Sequence, residues 1–252
     1  GGKMYRYLFY FLIYSFLGWC VEVCYATLNT KKFINRGFLN GPYCPIYGVG
    51  VMTIIYFVFP LKNNMLILFI ASVALTSILE FLTGFILEKI FHYRWWDYSD
   101  VPFNICGYIC LKFSILWGLA CVLVVDIVHP VVESVISWLP LFAGKIILVV
   151  AGIFMIIDFI VTVKTVLKLN AKLEKLEKIA EDIHKFSDKI GGKVSSDFIT
   201  AQDKIEELKL KREELLKNIP WLEKRIMKSF PNMKSTKYDE DTLSTMKEVD
   251  NK

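Results

Sequence analysis

Charge is scarce in the first two thirds of this 252-residue chain: residues 1–163 hold ten Lys and Arg and eight Asp and Glu, against 20 and 17 in residues 164–252. Histidine is rarer still. His92, His129 and His184 stand alone, without metal-ligand or catalytic-triad spacing. There is no Walker A loop. The nearest string, Gly191-Gly192-Lys193-Val194, lacks the earlier Gly and the Ser/Thr after Lys, which excludes ATP hydrolysis by that route. The six cysteines lie in or beside apolar segments and form no secreted disulfide framework; they read as small hydrophobes. A thiol metal site from Cys20/Cys24, Cys106/Cys110 and Cys44 is the alternative, but no histidine stands within these pairs. The net charge of +5 is spread out, so no nucleic-acid partner is expected. What is abundant is apolar: 54% hydrophobic and 15% aromatic residues, with a mean hydropathy of +0.43. Those values exclude a disordered chain and argue against a water-soluble enzyme.

The apolar residues fall in blocks. About 20 are needed to cross a bilayer, and five segments approach that: 5–28, 44–61, 65–91, 108–128 and 141–163. Between the last two, His129–Pro140 is too short to span and reads as an interfacial or re-entrant piece. The fold class is therefore all-α: a polytopic membrane bundle of about five spans over residues 1–167. Lys31, Lys32 and Arg36 in the first connection, Lys89 and Arg94 in the third, and Lys164, Lys168 and Lys172 after the last span put those parts in the cytoplasm.

Residues 168–230 have a different pattern. Leu169, Leu173, Leu176, Ala180 and Ile183 step by four and three, as do Ile205, Leu208, Arg212, Leu215, Ile219, Leu222 and Ile226. These are coiled-coil seams, broken at Gly191-Gly192. They predict a helical hairpin, or two chains zipped together. Pro220 opens a third, basic amphipathic helix, suited to a membrane surface or to the hairpin core. Residues 231–252 read as a disordered tail.

Two connections are unlike ordinary loops. Residues 35–50 and 92–112 are rich in Gly, Pro and aromatics and run directly into spans. Irregular backbone at membrane depth persists where it lines a cavity or is buried in protein. An aromatic belt of Tyr93, Trp95, Trp96 and Tyr98 is the simpler reading, but it leaves Arg36, Asn40, Asp97 and Asn104 unexplained. Acids within spans are costly and point to function; here they are Glu22, Glu80, Glu88, Asp126 and Asp158. Glu22 lies about 9 Å from its helix end at the usual rise per residue. Glu80, Gly84 and Glu88 share one helix face. Arg36, Lys112 and Lys164 are the expected cationic partners. The candidate site is thus Glu22, Glu80 and Glu88, with Arg36, Asn40, Asp97, Asn104 and Lys112; purely structural acid–base pairing is the alternative. A repeat is also visible: Gly18-x-x-x-Glu22 and Gly41-x-x-Cys44 recur 66 residues on as Gly84-x-x-x-Glu88 and Gly107-x-x-Cys110.

One ordered motif string carries a resemblance: Gly18-Trp19-x-x-Glu22, Asn35-Arg36-Gly37-Phe38-Leu39-x-Gly41-Pro42-x-Cys44-Pro45-Ile46-Tyr47-Gly48, Leu79-Glu80-x-x-Thr83-Gly84, Trp95-Trp96-Asp97-Tyr98-Ser99, and Asn104-x-x-Gly107-Tyr108-Ile109-Cys110-Leu111. Over residues 5–130 the chain resembles the putative ABC-transporter permease family of small bacterial membrane proteins. That resemblance implies a multi-pass protein of the bacterial cytoplasmic membrane and a separate ATPase subunit. Five spans are few for a pathway, so a homo-oligomer is expected. The function expected is a transporter component with a cytoplasm-facing acidic site for a cation, a proton or a cationic solute, without metal or cofactor. Two rivals remain open: a membrane-embedded enzyme acting on a lipid or polyprenyl substrate, and a scaffold that recruits a partner through its coiled coil.

Overall fold

The computed structural model describes residues 2–190 and 196–250. The expected break at Gly191-Gly192 lies outside the described residues. Helices dominate: α1 (Gly2–Thr30), α2 (Pro45–Phe57), α3 (Met65–Phe91), α4 (Leu111–Leu123), α5 (His129–Trp138), α6 (Leu141–Ile190), α7 (Ser196–Lys217), α8 (Trp221–Ser229) and α9 (Glu240–Asp250). Four are long and apolar enough to cross a membrane: Gly2–Thr30, Met65–Phe91, Leu111–Trp138 and Leu141–Asp188. The expected second span is shorter. α2 has 13 residues and is continued by a 3-10 turn over Phe59–Leu61, where Pro60 ends the regular helix.

His129–Pro140 is not a separate interfacial piece. α4 and α5 are one rod, joined by a π-helical turn at Val124–Val128. The cause is Pro130. Its ring would press on the carbonyl four residues back, at Asp126, and the widened turn relieves that clash without breaking the helix.

α1 packs on α2 and α3 on α4, each pair joined through an irregular connection on one side of the bundle. Small residues let the partners close up. A Cβ at Gly18 would collide with Cγ and Cβ of Tyr47, and one at Gly84 would lie 2.9 Å from Tyr108 Cδ1. The two pairs also correspond in detail. Cys44 and Cys110 are each the extended N-cap residue of the returning helix. Gly48 lies against Phe11, and Ser114, 66 residues later, bonds Ser77 at 2.8 Å.

The tail is built on α6, a single 50-residue helix that leaves the bundle and continues outward. α7 folds back along it. Leu169, Leu173 and Leu176 of α6, Leu216 of α7, and Ile226 and Met227 of α8 form one buried core with Phe91 at the end of α3 and Tyr93 and Trp95 of the third connection. α8 therefore faces the tail core rather than a membrane surface; Trp221, at its start, is the exposed exception.

Residues 231–250 correct the expectation of disorder. β4 (Lys234–Ser235) pairs antiparallel with β1 (Tyr93–Arg94), and Met233, Tyr238, Leu243 and Met246 complete the tail core. Four apolar side chains spread over 14 residues are too sparse to register as an amphipathic signal, and their partners are remote in sequence.

Candidate functional site

The first and third connections are fixed from both sides. In the first, Asp158 of α6 accepts from Asn40 N at 3.1 Å, Asn40 Nδ2 at 2.6 Å and Gly41 N at 2.7 Å. From the tail, Arg225 donates to the carbonyls of Gly37, Phe38 and Leu39 at 3.0, 2.9 and 3.1 Å. The loop's N–H side thus meets an anion and its carbonyl side a cation. Burial pulls the Arg225 guanidinium below its ordinary pKa, and Asp158 partly offsets this.

The third connection is a hairpin. β2 (Asn104–Ile105) and β3 (Ile109–Cys110) flank a three-residue loop, 106–108; Cys106 and Gly107 have the positive φ of a type I′ turn, closed by Tyr108 N–H donating to the Ile105 carbonyl. Asn104 binds the Ser99 and Val101 carbonyls through its amide nitrogen and the Gly107 N–H through its oxygen. Tyr93 and Trp95 are buried and Trp96 donates to the Tyr108 carbonyl, so these rings do not form a lipid-facing belt.

The three glutamates sit on the same side as these connections. Glu22 accepts from Tyr47 Oη at 2.6 Å and lies 3.5 Å from Arg36 Nε. Glu88 accepts from Arg94 Nε at 2.9 Å and from Tyr108 Oη at 2.8 Å. The two acids are met alike, each by one tyrosine and one arginine. Glu80 differs. Tyr98 Oη donates to its Oε1 at 3.2 Å and the Trp117 side chain lies near enough to favour the carboxylate, while Oε2 is buried without a close hydrogen-bond partner. Burial, then the charge of Glu80, with Cys110 and Glu22 adding to it, raises the Tyr98 phenol above its ordinary range. Tyr98 therefore lies within electrostatic reach of both Glu80 and Glu22.

Asp97 forms a second network. It accepts from Ser99 and from Lys234 Nζ at 3.0 Å, and Arg94 Nη1 lies 3.7 Å away. Against the cost of burial, the Ser99 and Lys234 hydrogen bonds hold its carboxyl down at about 2.

Of the eight residues expected at the site, Glu22 and Arg36 meet beside Tyr47, whereas Glu80 is held separately by Tyr98. Glu88 heads the Arg94–Asp97 network, and Asn40 and Asn104 hold backbone. Lys112 is not a partner of the acids: it is exposed, with its ammonium 5.8 Å from the Phe113 ring. Lys164 forms no ion pair among the described residues. Sequence reasoning missed Arg94 as the partner of Glu88, the tyrosines Tyr47, Tyr98 and Tyr108 as carboxylate donors, and Arg225. A basic residue in the amphipathic α8 gave no sign that it would reach 188 residues back to Gly37. No group of three or more His, Cys, Asp or Glu is placed to hold a metal among the described residues.

Residues 9–163 match the model of the family described as Putative ABC-transporter type IV. The chain belongs to that family. The match spans more than half of the chain, from the second turn of α1 to the end of the continuous apolar run of α6, and it ends one residue before Lys164. The tail that clamps both connections lies outside it. No curated protein and no solved structure matches the chain.

Proposed function

We infer that this ABC-transporter-family membrane protein is a permease component whose carboxylates, centred on Glu80, take a proton, a cation or the cationic group of a solute from the tail side. The observation that carries this reading is the buried Oε2 of Glu80, which has no close hydrogen-bond partner while Oε1 accepts from Tyr98. A buried carboxylate whose charge meets only the neutral donors Tyr98 and Trp117, with no cation beside it, is costly. A proton or a cation removes that cost, whereas Glu22 and Glu88 already have arginine and tyrosine partners. Orientation in a bacterial cytoplasmic membrane, with the tail in the cytoplasm, follows from the basic residues on that side. A separate ATPase subunit would supply energy, and the tail together with the first connection is the surface it would move. The apolar stretch of α6 is largely uncovered by the rest of the chain, which leaves room for a second copy beside it.

The experiment is uptake by proteoliposomes holding the chain with its ATPase subunit, using a panel of cationic and neutral solutes. Uptake of a cationic solute or of protons that Glu80→Gln abolishes supports the reading. Uptake indifferent to Glu80→Gln, or turnover of the liposome lipid in place of transport, overturns it in favour of another site or of an enzyme.

A further inference from the structure

Six lysines, Lys31, Lys32, Lys89, Lys112, Lys164 and Lys168, stand at the boundary between the bundle and the tail. They follow α1, close α3, open α4 and mark the point where α6 turns from apolar to polar. All six are exposed, and none forms a salt bridge among the described residues. Outward along the tail the pattern changes. Lys172 meets Glu223 at 2.8 Å, Lys178 meets Glu174 at 2.7 Å, and Lys211 meets Glu207 at 2.9 Å. Among the described residues, several tail lysines are thus given carboxylate partners, though Lys175 and Lys209 are not, whereas none of the six at the boundary is.

Exposed apolar side chains flank these lysines. Phe33 follows Lys32 directly and is 70% exposed; Phe103, in the third connection, is 80% exposed and held at φ +57°. A bulky residue seldom adopts a positive φ. Here the conformation goes with a phenyl ring that stays outside the protein core. Cations beside outward-pointing rings match the boundary between headgroups and acyl chains.

We propose that this six-lysine belt, with Phe33 and Phe103, binds the phosphate headgroups of anionic phospholipids in the tail-side leaflet, and so seats the tail against the membrane. Charge complementarity carries the proposal: six ammonium groups without carboxylate partners, at three helix ends and midway along α6, face a leaflet that can supply the missing anions. Near a negatively charged surface one lysine changes the association constant by about fivefold at low salt, and the attraction decays within a Debye length. Only three lysines without salt bridges, Lys3, Lys62 and Lys145, mark the opposite side. The inference is independent of any transport activity.

The test uses the full chain in phosphatidylcholine vesicles doped with spin-labelled phosphatidylglycerol or spin-labelled phosphatidylcholine. The motionally restricted fraction gives the relative association constant. At low salt, phosphatidylglycerol should be preferred roughly three- to tenfold. The preference should fall close to one in 1 M NaCl and in the variant combining Lys31→Gln, Lys32→Gln, Lys164→Gln and Lys168→Gln. The same four positions changed to Arg should keep it. Equal association of the two lipids with the wild type overturns the proposal, and so does a preference that survives 1 M NaCl or persists in the Gln variant. If the fourfold Gln variant fails to reconstitute, Lys31→Gln with Lys32→Gln, in the exposed connection after α1, should still lower the preference about twofold; no change there overturns it as well.

Discussion

The Tyr47 hydroxyl donates to Glu22 at 2.6 Å, with its ring seated in the space that Gly18 leaves open one turn before that glutamate. Tyr108 stands to Gly84 and Glu88 in the same way, with its hydroxyl 2.8 Å from the carboxylate. In both pairs a helical Gly-x-x-x-Glu provides a slot and, one turn on, an acceptor. The returning segment fills the slot with an aromatic ring and satisfies the acceptor with its phenol. The 66-residue repeat is therefore also a repeat of packing, although the two tyrosines are not at equivalent positions.

The fit at Gly18 makes the first prediction. A methyl group there would collide with Cβ and Cγ of Tyr47, at a seam where the backbone cannot easily yield. Gly18→Ala should lower stability by about 1–3 kcal/mol, the usual range for overpacking, and should pull the phenol away from Glu22. Gly50, also on this helix pair, is open: a Cβ there would meet nothing within 4 Å. Gly50→Ala should be neutral or slightly stabilising, since alanine is the better helix former. Melting temperatures of both variants in the same detergent check this; equal melting would mean the seam is looser than its contacts indicate.

The sequence made the membrane part legible and left much of the tail hidden, for physical reasons. Long apolar blocks mark spans whatever they pack against, so α1, α3 and α6 stand where expected. Intramembrane acids stand out because hydrocarbon penalises them, so Glu22, Glu80 and Glu88 were visible as a set. Their partners were not. Arg94, Tyr98 and Tyr108 come from an irregular segment whose path no periodicity predicts. Residues 231–250 reveal their order only once β1 and the α6 seam are in place to receive β4, Leu243 and Met246. Pro130 reads as a breaker in sequence, yet a π turn carries the helix past it.

The clamp on the first connection gives a second prediction. Arg225 satisfies three backbone carbonyls that are otherwise shielded by α8. Arg225→Ala would leave them without donors in a buried setting, at a cost of about 2–4 kcal/mol for the group. Lys carries the charge but not the fork, so Arg225→Lys should recover only part of that loss. The readout is limited proteolysis of the detergent-solubilised chain. Cleavage within residues 31–44 and 218–250 should accelerate in the order wild type, Lys variant, Ala variant. Identical digestion patterns would show that the apolar tail core holds the connection without the arginine.

Acid should loosen the other strap. The Asp97 carboxyl is held at about 2 by Ser99 and Lys234 in spite of its burial. Its pKa is lower in the folded chain than in the unfolded one. Its stabilising contribution is therefore complete above about pH 4 and is lost as the pH falls through about 2. Asp97→Asn should accordingly weaken the β1–β4 junction at pH 6 and make little difference at pH 2. Hydrogen exchange at Arg94 and Thr236, compared between the two proteins at each pH, measures this. A gap that widens in acid would contradict the assignment.

The glutamates should separate by what each one holds. Glu88 anchors Arg94 and Tyr108 through Oε2, so Glu88→Gln leaves a guanidinium without its nearest anion and weakens the third connection. Removing one member of a partly buried pair is costly because the other charge remains. Glu22→Gln should behave in the same direction but less strongly, since Arg36 is 3.5 Å away, about a third exposed, and also lies over the Tyr25 ring. Both variants should melt lower than the wild type. Glu80 is different in kind. It accepts a hydrogen bond from Tyr98, and Gln can keep that bond through its amide oxygen while presenting donors to the space now faced by Oε2. Glu80→Gln should therefore leave the melting temperature unchanged or raise it slightly. If this carboxylate serves a proton or a cation, the same variant should abolish solute-dependent activity in proteoliposomes or fail to complement growth. A drop in stability equal to that of Glu88→Gln, with activity retained, would make Glu80 one more structural acid and remove the basis for the site.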